Sequence, residues 1–236
     1  MGFEPEREVR TSMLTRIPTR PLLLSGIGAG VLFPLVVLAQ ALTRQGFDLS
    51  VHPLSLLSLG GAGWIQIMNF IVTGVLVIGF AVGLRRPPDS SPGGRWGPRL
   101  LGFYGVVLVA AGVFTVDPMY GFPPGAPEGL PATMSWHAIL HQLTFLLAFL
   151  GLFIALFVFV RRFWLLRARG FAAYCLLTGL ATPTLIVVSE MVPGSRGYIL
   201  FATNVLVHGW LVLLAIKALA HHRTSHAVVP EVRAPA

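Results

Sequence analysis

Two histidines four residues apart, His137 and His141, open one long apolar run, and an aspartate, Asp117, closes the run before it. On a helix such a pair projects from one face, about a turn apart. If the two runs form a hairpin, all three side chains stand at one membrane boundary, beside a loop with neither Lys nor Arg. Two imidazoles and a carboxylate without a thiolate are a zinc-type donor set. They leave a coordination position open for water, as a metal-dependent hydrolase requires. A second pair lies deeper, where Asn204 and His208 are one turn apart in the last apolar run. His141 and His208 together are candidate axial ligands for a haem, the chemistry of a redox protein. Three further residues complete the candidate pocket: His52 in the first long loop, Asn69 in a polar stripe with Gln66 and Thr73, and Glu190 at the end of the fifth run. Each also has a plain structural reading. Carboxylates at helix ends cost little, polar stripes hold helices together, and a mid-membrane histidine requires a hydrogen-bond partner.

The elements that carry these residues follow from composition. Hydrophobic residues make up 55% of the 236-residue chain, charged residues only 11%, and the mean hydropathy is +0.77. That is more apolar surface than a soluble domain of this length buries, so the chain is expected to be an all-α, multi-pass membrane protein. The single cysteine, Cys175, excludes an intramolecular disulfide and any Cys-based zinc motif. The net charge of +8 sits in short clusters between apolar runs rather than on one face, which indicates topology and not nucleic-acid binding.

Six runs are long enough to cross a bilayer, over 22–42, 64–84, 99–116, 136–160, 170–190 and 198–220. They form one domain over 21–220, flanked by disordered cytoplasmic tails, 1–20 and 221–236. Ala39-Gln40-Ala41 imitates a signal-peptidase site, so cleavage after the first run is the alternative to a first helix. Pro34 and Pro183 are expected to bend their helices, and the glycines of the third helix to permit close packing. Of the 17 Lys and Arg, all but Arg44 and Arg196 lie in the two tails and the second and fourth connections or at the helix ends beside them. The positive-inside rule then places both termini in the cytoplasm and every candidate residue at or opening toward the outer side.

The stretch Gly46-Phe47-Asp48-Leu49-Ser50 through His52-Pro53-Leu54-Ser55, with Gly63-Trp64-Ile65-Gln66 and Asn69-Phe70-Ile71-Val72-Thr73-Gly74, resembles bacterial six-helix membrane proteins catalogued as domain of unknown function family 998. Asp117-Pro118, His137, His141 and Tyr174 with Leu176-Leu177-Thr178-Gly179 extend the resemblance over about residues 22–220. It implies six helices in a bacterial plasma membrane and carries no activity. The function expected from the residues is binding or transport of a lipid-like or small amphiphilic ligand in an outward polar pocket. A zinc-dependent intramembrane hydrolase acting on lipid and a haem-binding redox protein are the alternatives. Substrate, metal content and oligomeric state stay open at this level.

Overall fold

The computed structural model describes residues 18–86 and 93–227, with backbone alone for 225–227. The expected tails up to 17 and from 228, and the Pro-rich part of the second connection over 87–92, lie outside the described residues. Six α-helices follow one another: α1 (Thr19–Thr43), α2 (Gly63–Arg85), α3 (Trp96–Val113), α4 (Trp136–Leu165), α5 (Arg169–Met191) and α6 (Arg196–Ala227). Each is long and apolar enough to cross a membrane. A short 3₁₀ turn, η1 (Leu54–Ser58), interrupts the first long connection.

The helices form a closed ring. Each packs against its neighbours in the chain, and α6 returns to pack on α1. Small residues set the distances. A Cβ on Gly105 of α3 would stand 2.7 Å from the carbonyl oxygen of Gly74 on α2, and one on Gly74 would stand 2.5 Å from that of Gly105. The two backbones therefore touch, which a side chain at either position would prevent. Across the ring, a Cβ on Gly30 of α1 would stand 2.7 Å from the carbonyl oxygen of His208 on α6. Pro34 and Pro183 are both accommodated within continuous helices.

Most polar side chains of α2 are turned inward, since lipid offers them no partner. Gln66, Asn69 and Thr73 on α2 are all buried. Gln40 of α1 donates to Gln66 Oε1 at 2.8 Å, and Asn69 Nδ2 donates to the Phe33 carbonyl at 3.2 Å. This seam joins α1 to α2 from within the ring.

Several boundaries differ from the sequence expectation. α3 ends at Val113, with Phe114 extended as its C-cap, so Asp117 lies in the following loop rather than closing the helix. α4 runs to Leu165 and takes in Arg161 and Arg162, whose long aliphatic stems tolerate the end of an apolar helix. α6 continues through His221 and His222 to Ala227, into the segment expected to be a disordered tail.

If backbone contact between α2 and α3 holds this side of the ring, Gly105→Val lowers stability by about 1–3 kcal/mol, as overpacking does. Gly61, whose Cβ would meet nothing within 4 Å, is the control. Thermal unfolding of the purified protein in detergent is expected to show a lowered midpoint for Gly105→Val and an unchanged one for Gly61→Ala.

Candidate functional site

One end of the ring is covered by the connection 44–62 and the loop 114–135, which meet in a small apolar cluster of Leu56, Val116, Met119 and Phe122. This cap absorbs most of the polar residues singled out by sequence. His52 is buried between the Phe47 and Phe122 rings. Its Nδ1 accepts from the Asp48 backbone N–H at 2.8 Å, so Nε2 carries the hydrogen and donates to the Tyr120 carbonyl, also at 2.8 Å. With both nitrogens used, His52 is a tie between the two loops. Asp48 accepts from the Ser50 N–H at 2.7 Å, and that bond holds its carboxyl below the ordinary carboxylate range.

Asp117 likewise serves the fold. Its carboxylate accepts from the Ser135 N–H at 2.7 Å and from the Ser135 hydroxyl at 2.6 Å. Ser135 is the N-cap of α4 and accepts from the Ala138 N–H at 3.2 Å. His137 is exposed beside the Trp136 ring. Glu190 is exposed and pairs with Arg196, which also lies over the Tyr120 ring. Asp117, His137 and His141 are not brought into one donor set. Among the described residues no three of His, Cys, Asp and Glu stand together where they would hold a metal ion.

What the structure does bring together is His141, Asn204 and His208. All three line a cavity inside the ring, beneath η1, with about 830 Å³ of unfilled space including its open mouth. Its walls are mainly apolar, with Phe33, Phe70, Leu108, Phe149 and Val207 among them. Tyr104, Thr144 and Thr203 add hydroxyls, and Pro53, Leu54 and Ser55 of the η1 segment roof it. Among the described residues no Lys, Arg, Asp or Glu lines it, and neither does any residue of α5. Phe145, 40% exposed, is where the lining reaches the apolar surface of the bundle.

The two histidines are held alike. His141 Nδ1 lies 2.7 Å from the Phe114 carbonyl at the end of α3, and His208 Nδ1 lies 3.0 Å from the Asn204 carbonyl one turn earlier. A carbonyl only accepts, so Nδ1 bears the hydrogen in each neutral ring and the lone pair is on Nε2. His208 stacks on Phe33, with centroids 4.9 Å apart and planes 9° apart. Its Nε2 and the Asn204 Oδ1 are buried with no hydrogen-bond partner among the described residues. Asn69 stands outside the lining, in the α1–α2 seam.

Sequence reading did not pick out Tyr104, Thr203 or Phe33. Tyr104 carries a hydroxyl in an otherwise apolar span, and Thr203 directly precedes Asn204; both were available signals. Phe33 gave none, because only the packing of α1 on α6 assigns it to the site.

Removing the Asp117 carboxylate is expected to loosen the start of α4 without emptying the cavity. Asp117→Ala should cost about 1–2 kcal/mol of stability, the range for a helix cap with a charge-assisted bond. The checks are thermal unfolding and faster amide exchange at residues 135–139.

Residues 27–217 match the family described as "Protein of unknown function (DUF998)". Comparison with curated proteins and with solved structures gives no match. The matched span covers α2 to α5 and most of α1 and α6, cavity lining included, and the chain belongs to this family.

Proposed function

We propose that this membrane protein binds a lipid-like or small amphiphilic ligand in the cavity beneath the cap. The observation that carries this reading is the cavity's composition. Apolar walls carry a few polar groups, His141, Asn204 and His208 among them, and the lining reaches the bundle's apolar surface at Phe145. An amphiphile matches both parts, with its chain against the phenylalanines and its polar group at the histidines. Entry from the membrane leaflet on the cap side, past Phe145, spares the ligand a passage through water.

This reading uses neither metal nor haem. The zinc hydrolase loses its support because the Asp117 carboxylate is taken by Ser135 and His137 is exposed beside Trp136. The haem reading keeps His141 and His208 in one cavity but has no further observation in its favour.

The test is photo-crosslinking of the full chain in phospholipid nanodiscs with a diazirine-bearing long-chain amphiphile, mapped by mass spectrometry. Adducts should concentrate on residues 145–149 of α4 and 200–208 of α6 and fall at least fivefold in Ala148→Phe, which fills the cavity from α4. Adducts confined to lipid-facing residues such as Leu146 and Leu213, equally in both proteins, would contradict binding inside the ring.

A further inference from the structure

Resting on the amphiphile reading above, we propose that the ligand is an uncharged lipid alcohol whose hydroxyl donates a hydrogen bond to Nε2 of His208. The chemistry of the lining points to this class. His208 Nε2 is an acceptor because Nδ1 donates to the Asn204 carbonyl, and the Asn204 Oδ1 on the same lining is a second acceptor; both are buried without a partner among the described residues. His208 itself is only 1% exposed. His141, tied in the same way to the Phe114 carbonyl, also has its lone pair on Nε2. Three acceptors on the lining of a mainly apolar cavity call for a donor.

Charge narrows the choice further. Among the described residues no charged side chain lines the cavity, and a phosphate, carboxylate or ammonium group taken there would lose its water without a counter-charge. The two arginines of the cap connections are already committed, Arg44 to the Leu57 and Leu59 carbonyls and Arg196 to Glu190. A phospholipid or fatty-acid headgroup therefore finds no partner. A neutral hydroxyl finds acceptors for its hydrogen, and the Tyr104 hydroxyl on the same lining can donate to its oxygen. Glycerol esters with free hydroxyls and long-chain or isoprenoid alcohols share this chemistry.

The class of donor distinguishes this proposal from the cavity reading beneath it. A methyl ether has the shape and apolarity of the alcohol but no hydrogen to give, and it would leave His208 Nε2 buried and unpaired. The experiment is equilibrium binding of radiolabelled 1-hexadecanol, its methyl ether and hexadecanoate to the full chain in phosphatidylcholine nanodiscs. Wild type, His208→Phe, Asn204→Leu and Ala148→Phe are compared, each checked for an intact thermal transition.

Wild type is expected to bind the alcohol saturably, at least about tenfold tighter than either analogue, a difference a single buried acceptor left unpaired can supply. His208→Phe, or Asn204→Leu where the first does not fold, should narrow the alcohol-to-ether ratio at least threefold, and Ala148→Phe should abolish binding of both. Equal binding of alcohol and ether in wild type, abolished by Ala148→Phe, would overturn hydroxyl recognition and leave the amphiphile cavity standing. No saturable binding of any probe, or binding indifferent to Ala148→Phe, would overturn both readings. A Soret band in the purified protein that disappears in His208→Phe would replace the alcohol with haem.

Discussion

The contact on which the cavity depends is the approach of α6 to α1 at Gly30. The His208 carbonyl oxygen occupies the space a side chain at Gly30 would need, so the last helix lies directly on the first and the ring closes. The same contact positions the site. It lays the His208 imidazole on the Phe33 ring and leaves its Nε2 on the far side from the Nδ1 tie to Asn204. Closing the ring also settles which polar groups survive in the spans. With lipid outside and six packed helices around, buried polar residues lie in the seams, where Gln40 donates to Gln66 Oε1, or at the cavity, as Asn204 and His208 do.

The cap shows the same polar chemistry spent on structure. Both basic residues outside the basic connections have assignments there. Arg44 donates to the Leu57 and Leu59 carbonyls and lies over the Phe122 ring, while Arg196 pairs with Glu190 and lies over Tyr120. Together with His52 bridging Asp48 to Tyr120, they bind loops that have little regular structure of their own. The backbone joins in, since the Tyr198 N–H donates to the Leu49 carbonyl and ties the first connection to the start of α6. The result is a roof of mutually tied loops over the cavity, which leaves the membrane side at Phe145 as the open one.

How much of this is legible from the sequence depends on the range of the interactions involved. The six spans are, because about 20 apolar residues in a row signal a membrane helix with no tertiary information. The inward face of α2 is legible for a related reason, since Gln66, Asn69 and Thr73 at helical spacing cannot face lipid. His141, Asn204 and His208 could be named as candidates for a shared pocket because their depth in apolar runs is itself unusual. Asp117, His137, His52 and Glu190 look equally polar in sequence, yet their surroundings are decided by partners far along the chain. Ser135 takes Asp117, Tyr120 takes His52, and His137 is left exposed in the first turn of α4 while His141, one turn deeper, faces the cavity. Residue type and spacing are silent about those partners. They are equally silent about Tyr104 and Phe33, which reach the site only through the order of the helices around the ring.

The central claim is that the space lined by His141, Asn204 and His208 is a ligand site of the folded protein in a membrane. Its most direct test is an experimental structure of the full chain in lipid nanodiscs, at a resolution that separates bound lipid from side chains. The account predicts elongated non-protein density inside the ring, with its polar end against His208 and its tail passing Phe145. A cavity filled by inward rotation of Phe145 and Phe149, with His208 Nε2 bonded to another residue of the chain, would contradict it.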